Sequence, residues 1–318
     1  MEIFTLHYPE LTFEGDLPAQ SAVAGCSSVV AIGVFDGVHL GHRAVIGKAI
    51  EVASPKELVP TVLTFIEHPQ MALRPDRPVP LLTPWLEKKR RLAQAGVDRT
   101  VGVHFTRAFA ELSPFDFARR ILVEQLGARA IVVGEDFAFG KGKAGRIEQL
   151  FDFGLKLGFE LEVVKPVRVD GHVVSSSRIR KLLATGCLEE AEKLLGYRYC
   201  LEGTVVGGDQ RGRLLGFPTA NLRLPEQKLV PAYGVYTGWA KFDDLRRPCV
   251  INIGQSPTFD PPQLKIEAHL LDFEGDLYGR EMALELVSLL RPEQAFRNVE
   301  ELKNQIEADI LRARKNLP

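Results

Sequence analysis

SVVAIGVFDGVHLGH, running from Ser28 to His42, is the stretch whose reading decides the fold. Its first part, Ser28 to Phe35, is a nearly unbroken apolar run of strand length, the pattern of a strand covered on both faces. Glycines then punctuate the chain at Gly33, Gly37 and Gly41, and a helical pattern takes over from His42 to Ala53. A buried strand that passes through a glycine-rich turn into a helix is the start of an α/β unit. In such a unit the backbone can approach a ligand closely at the glycines. The helix N-terminus offers unpaired N–H groups and the positive end of its dipole to a phosphate.

The same rhythm continues downstream. Strands are expected at Val59–Phe65, Val97–Val103, Arg129–Gly134 and Glu160–Val164. Helices are expected at Pro84–Gly96, Pro114–Gly127 and Arg146–Gly158, with Pro84 suited to a first helical position. Continuous apolar strands alternating with helices predict a parallel sheet covered on both sides. Near residue 186 the rhythm changes. Two short helices, Ile179–Ala184 and Leu188–Leu195, flank Thr185-Gly186, and after Gly196 the chain becomes strand and turn. Close glycine and proline punctuation there predicts an antiparallel barrel or sandwich. A last amphipathic helix is expected from Pro292, with Val299, Leu302, Ile306 and Ile310 on one face. The expected domains are therefore residues 1–186 and 187–318.

Composition narrows the function classes. The chain has 318 residues, enough for two domains, and its 40 basic and 41 acidic residues give a net charge of −1. No overall field favours nucleic acid or an anionic membrane. No apolar run reaches the length of a membrane span, and the N-terminus lacks the pattern of a signal peptide. Cys26, Cys187, Cys200 and Cys249 lie far apart without a CxxC pair, so they read as small apolar fillers. A cytoplasmic protein, monomeric or weakly self-associating, with small-molecule substrates and neither nucleic-acid nor membrane partners, is expected.

Two constellations carry chemistry. In the first, His39 and His42 are three apart and share a face of the helical turn, where two imidazoles could hydrogen-bond phosphate oxygens. Taken alone, HxxH also fits a strand-to-helix turn with incidental histidines. No Walker loop occurs in the chain. In the second, Pro218-Thr219-Ala220-Asn221 places a hydroxyl and a carboxamide two residues apart, hard oxygen donors of the kind magnesium accepts. Gly207, Gly208 and Gly212, with Arg211 and Arg213, lie just ahead; in isolation this segment also fits a surface hairpin. Glu267 and His269 alternate along a strand and share a face.

The long motif GxFDGxHxGH, here Gly33 to His42, resembles the adenylyltransferase module of bacterial bifunctional riboflavin kinase/FAD synthetases. Leu63 to Pro69 resembles that family's TFxPHP stretch, with Glu67 where proline is usual. Gly134 to Gly140 matches its GxxFxFG loop, and Val174 to Arg180 its ISSTxxR motif, with Ser177 for threonine. The second half resembles riboflavin kinase through GFPTANL, through Asn252 to Phe259 (NIGxxPTF) and through Glu267 to Phe273 (ExHLLDF), with Gly207 where histidine is common.

The resemblance implies an α/β Rossmann-like nucleotidylyltransferase domain followed by a small antiparallel Greek-key β-barrel with a C-terminal helix. It implies phosphorylation of riboflavin to FMN and adenylylation of FMN to FAD, with ATP as co-substrate and Mg2+ as cofactor. By the family's pattern His39 and His42 stabilise the α-phosphate, while Ser176, Ser177 and Arg180 hold the leaving β,γ-phosphates. Gly33, Phe35, Asp36, Gly37 and Gly41 frame the nucleotide, and Asp136 lies near nucleotide and flavin phosphate. Gly212, Thr219 and Asn221 bind the second nucleotide, Thr219 and Asn221 hold its magnesium, and Glu267 is the base. Alternatives are a kinase-only enzyme, a transferase for another phosphorylated substrate such as phosphopantetheine or nicotinamide mononucleotide, or a flavin-binding regulator without turnover.

Overall fold

A computed structural model describes residues 1–15, 27–208, 212, 215–256 and 263–317. The chain divides into two compact units, Met1–Ser176 and Ser177–Pro318.

In the first unit the strands are β1 (Glu2–His7), β2 (Thr12–Gly15), β3 (Ser28–Ile32), β4 (Val59–Phe65), β5 (Arg99–Val103), β6 (Ala128–Gly134) and β7 (Glu160–Val164). They form one sheet in the order β2-β1-β5-β4-β3-β6-β7. All neighbours are parallel except β1 and β2. The sequence reading contained neither β1 nor β2, and the sheet is not wholly parallel as expected. In β1 only Phe4 and Leu6 are buried, so it alternates rather than running apolar throughout, and it lacks the signal used for the central strands.

The helices are α1 (Leu40–Ala53), α2 (Trp85–Gln94), α3 (Phe117–Gln125) and α4 (Ile147–Leu157). Pro84 stands one place earlier than expected, as the N-cap of α2, its carbonyl accepting from Lys88 N. Helix α3 is wound with i→i+5 bonds, shown by Leu126 N donating to Ile121 O. Alternate residues of each central strand feed opposite layers. Val30, Ile32, Leu63 and Ile131 pack with Ile121 and Leu122 of α3 and Leu150 of α4. Val29, Ala31, Val62 and Val132 pack with Val45, Ile46 and Ala49 of α1 and Leu92 of α2. Both faces of β3 are thus buried, as a continuous apolar run requires.

The strand order places a reversal at β3. The chain builds outward from β3 through β4 to β5, then returns to lay β6 on the other side of β3. The crevice outside the carboxyl ends of β3 and β6 is the topological switch point, where open α/β sheets bind ligands.

The second unit opens with α5 (Ser176–Ala184) and α6 (Leu188–Leu195), the first of which begins at the division between the units. Ala232 N donates to Leu183 O at 3.0 Å, and a Cβ on Gly186 would strike Leu289, so these helices are tied to the strands that follow. Those strands are β10 (Cys200–Val206), β11 (Ala220–Arg223), β12 (Gly234–Phe242), β13 (Leu245–Ser256), β14 (Gln263–Leu270) and β15 (Glu281–Arg291), after a two-stranded ribbon of β8 (Arg168–Val169) and β9 (His172–Val173) in the first unit. The six close into an antiparallel barrel in the order β10-β11-β14-β13-β12-β15. Ile251, Ile253, Ile266, Ala268, Leu284 and Leu286 are buried at alternate positions and form its interior.

The last helix, α7, runs from Val299 to Asn316, not from Pro292; Asn298 caps it by accepting from Glu301 N. The polypeptide is still in β15 at Arg291, and α7 begins only where this cap is available. Ile310 and Ala313 meet Val235, Val250 and Leu271, whereas Val299 is exposed. Arg291 and Asp309 pair at 2.9 Å across this contact.

Ile131→Ala, in the middle of β6, removes a fully buried side chain shared with α3 and α4. It should destabilise the first unit by about 2–5 kcal/mol, read by urea unfolding against the wild-type chain.

Candidate active sites

The first site begins where β3 ends. Gly33 N donates to Leu63 O at 3.2 Å, and the chain then breaks away from the sheet through Phe35 (φ +49°), Gly37 (φ +90°) and Val38 (φ +36°). Two non-glycine residues in the left-handed region mark a strained turn that its surroundings must hold. Phe35 and Val38 are anchored by burial. Asp36 supplies the polar anchor: its Oδ1 accepts from Thr83 N at 2.9 Å and its Oδ2 from Leu82 N at 3.1 Å. Gly37 N in turn donates to Thr83 Oγ1 at 2.7 Å, and Ser176 Oγ donates to the Asp36 carbonyl at 2.9 Å.

Asp36 is 1% exposed. The resemblance counts it among the residues that frame the nucleotide, and in the structure it also clamps the turn, joining three segments distant in sequence. Ser176, expected to bind phosphate, has its hydroxyl on that same turn. Thr83 was missed by sequence reading, because a threonine in a loop carries no motif.

The turn delivers His39 to the N-cap of α1. Its Nδ1 accepts from His42 N at 3.2 Å, so in the neutral ring the proton sits on Nε2, the nitrogen able to donate. The His39 and His42 rings stack with centroids 3.6 Å apart and planes 13° from parallel. Phe35 meets His42 edge-on at 5.2 Å. Gly41 leaves the room for this arrangement: a Cβ there would lie 3.2 Å from His39 Cε1. Across the switch point, β6 ends at Gly134 and turns, Phe137 N donating to Gly134 O, which leaves Asp136 exposed at the crevice. Glu67, the departure from the TFxPHP pattern, pairs with His104 at 2.8 Å. His68 caps a single helical turn, accepting from Gln70 N. Ser177 and Arg180 lie three apart on α5, on one face of its first turns; Ser177 is exposed and Arg180 half-buried.

The second site lies on the outside of the barrel. In the ladder between β11 and β14, Asn221 stands opposite Glu267. In the next ladder Glu267 stands opposite Asn252 of β13. The three side chains form a row on one face, the opposite face to buried Ile266 and Ala268. Asn252 was quoted only within a motif, and its position beside Glu267 comes from the strand register. Lys265 Nζ lies 3.4 Å from Glu267 Oε1. Thr219 shares the Asn221 side of the chain just before β11.

His269 Nδ1 is 2.8 Å from Pro218 O, and its ring meets Phe217 edge-on at 5.8 Å. His269 therefore holds the Pro218–Asn221 segment against β14. The three glycines differ. A Cβ on Gly208 would overlap the Asn221 amide, one on Gly212 would strike Phe217 O, and one on Gly207 would meet nothing. Arg211, Arg213 and Pro257 to Phe259 lie outside the described residues. An open cleft of about 430 Å³ between residues 294–296 and α7 is lined by none of the expected site residues.

The two sites thus present different chemical equipment: stacked imidazoles at a helix N-terminus in one, hydroxyl, carboxamide and carboxylate in the other. The family models agree with this division. FAD synthetase matches residues 23–178 and riboflavin kinase residues 195–317. A bifunctional riboflavin kinase/FMN adenylyltransferase of Listeria monocytogenes is 39% identical over 97% of this chain and 96% of its own. Proteins of the same description from Escherichia coli K12 (93% and 94%) and Bacillus subtilis 168 (89% and 90%) are also 39% identical. A solved structure described as a macrolide-efflux protein from Streptococcus pneumoniae superposes with a TM-score of 0.84 at 32% identity, over 93% of this chain and 96% of its own. Among the described residues no helix is long and apolar enough to cross a membrane. With relatives this similar over nearly their whole length, and with each unit carrying its own matching model, the chain belongs to the bifunctional riboflavin kinase/FMN adenylyltransferase family.

Proposed function

We propose that the second unit transfers the γ-phosphoryl group of ATP to riboflavin at the Thr219–Asn221–Glu267 face. The first unit then joins the resulting FMN to the adenylyl group of a second ATP at the crevice beyond β3 and β6, releasing pyrophosphate.

The two reactions ask for different groups. In adenylyl transfer the nucleophile is a phosphate oxygen, already anionic, so no base has to remove a proton. What the site must do is stabilise charge at the α-phosphate as pyrophosphate departs. His39 supports this reading most directly: its Nδ1 accepts from His42 N, so in the neutral ring Nε2 carries the donor hydrogen that a phosphate oxygen beside the amino end of α1 would accept. His42 stacks on that ring and keeps it in place. Asp36 acts by holding the turn, while Gly33, Phe35, Gly37 and Gly41 give it its shape. Asp136 faces the crevice from β6. Ser177 and Arg180 are assigned to the leaving β,γ-phosphates; the guanidinium fork suits paired phosphate oxygens.

Phosphorylation of riboflavin starts from a neutral hydroxyl, so a base is needed. Glu267 is the carboxylate in register beside Asn221, and it accepts the proton as the ribityl oxygen attacks the γ-phosphorus. The Thr219 hydroxyl and the Asn221 carboxamide are the oxygens that fit magnesium. Held there with ATP, magnesium would supply neutralisation of phosphate charge. Gly212, against Phe217 O and near Thr219, keeps the loop close to those donors. A cytoplasmic location fits soluble substrates of this kind.

Chromatography of the protein incubated with riboflavin, ATP and Mg2+ should reveal FMN first and FAD later; absence of FAD would remove the adenylyl-transfer assignment. His42→Ala should slow FAD formation about 10²–10³-fold while FMN formation continues. Glu267→Gln should slow FMN formation about 10²–10⁴-fold and leave conversion of supplied FMN intact. Asp36→Ala orphans the buried Leu82 and Thr83 N–H groups at about 1–3 kcal/mol each and should lower FAD formation alone, measured by thermal unfolding and by both rates.

A further inference from the structure

Lys88 lies on α2 and is 2% exposed, a rare environment for an ammonium. Its Nζ donates to Phe65 O at 2.8 Å, at the carboxyl end of β4, and sits 5.9 Å from the Trp85 ring centroid. Two carboxylates act on it through space: Asp36 from the turn after β3 and Glu67 from the segment after β4. Glu67 is itself paired with His104, which follows β5. On its own helix the charged groups nearby are Glu87, which is buried, Lys89, whose Nζ lies 5.7 Å from the Trp85 ring, Arg90, and Arg91, which bonds Gln94. Lys88 is therefore within electrostatic reach of the turn that carries His39, on the helix led in by Leu82 and Thr83, and is bonded to the strand beside β3.

We propose that the Lys88 ammonium is the positioning charge of the adenylyl-transfer site: it offsets the buried Asp36 carboxylate, ties the end of β4 to α2, and FAD formation requires it protonated. The proposal rests on adenylyl transfer being the work of the first unit. Asp36 is 1% exposed and holds two backbone N–H groups, and the Lys88 charge attracts it through space. With Lys88 neutral, that attraction is lost and the Phe65 carbonyl loses its charged donor. Both losses loosen the join between the end of β4, α2 and the strained turn beneath His39. Glu67, standing where the family motif has proline, gives this chain a second carboxylate around the ammonium.

Burial lowers the Lys88 pKa from 10.5 to about 8, against the opposing pull of Asp36 and Glu67. The sign of its effect on stability separates positioning from unfolding. Between about pH 8 and 10.5 the unfolded chain holds this proton and the folded chain does not, so Lys88 makes the fold more stable as pH rises. Activity should move the other way.

Initial rates of FMN-to-FAD and riboflavin-to-FMN conversion, measured on the same full-length protein with Mg-ATP from about pH 6.5 to 9.5, test this, with the kinase as internal control for changes in the nucleotide. The wild-type kcat for FAD formation should fall above about pH 8, approaching tenfold per pH unit, and the kinase should lack this limb. Lys88→Arg should keep FAD formation within a few-fold and move the limb above about pH 9, because a guanidinium stays charged. Lys88→Met should lose at least about tenfold in kcat at pH 7 and show no limb, with the kinase unaffected. A wild-type profile with no alkaline limb of its own, or Arg and Met variants with the same kcat and the same limb, overturns the proposal. Should the Met variant lose its near-ultraviolet circular dichroism, the wild-type profile and the Arg variant still decide. Wild-type protein that forms no FAD at any pH overturns the adenylyl-transfer reading and this proposal with it.

Discussion

The first unit depends on a buried carboxylate. Asp36 receives the backbone N–H groups of Leu82 and Thr83, while Gly37 N and Ser176 Oγ complete the knot around it. The turn it holds contains two non-glycine residues with positive φ, a conformation that costs free energy wherever it occurs. The carboxylate and the buried side chains of Phe35 and Val38 offset that cost, and what they secure is the position of His39 at the helix N-terminus. Without the clamp, the first residues of α1 would have no fixed relation to the carboxyl ends of β3 and β6.

The second unit achieves positioning by a different route. A closed barrel has no free edge, and register across neighbouring strands is set by which residues alternate into its interior. With Ile266 and Ala268 directed inward, Glu267 has to face outward, between Asn221 on one side and Asn252 on the other. A one-residue slip would bury the carboxylate and expose the interior side chains. Core packing therefore carries the geometry of this site, and His269 adds a local tie to the Pro218 carbonyl.

These two modes suit the chemistry assigned to each unit. Adenylyl transfer between anions needs hydrogen-bond donors held at a phosphate, and a strained loop at a helix N-terminus brings donors together. Phosphoryl transfer to a hydroxyl needs a base and oxygen donors at fixed spacing, and a rigid ladder supplies that spacing.

The central strands, the alternation with helices and the change to an antiparallel second half were legible because each is written in local periodicity, and β4, β7 and α6 match their expected limits. The motifs also marked His39, His42, Thr219, Asn221 and Glu267 before any contact was known. What local sequence could not carry was anything arising from chain segments far apart. Strand β1 is held by pairing with β5 and buries only two side chains, so its own pattern is too weak to announce it. The clamp role of Asp36, the part played by Thr83 and the burial of Lys88 depend on contacts tens of residues apart in the chain, as does the place of Asn252 beside Glu267. The sequence by itself determined which chemical groups are present and which local elements they ride on. Tertiary structure alone decided which of those groups stay exposed and which are buried to hold the others in place, because burial and pairing are properties of the packed chain.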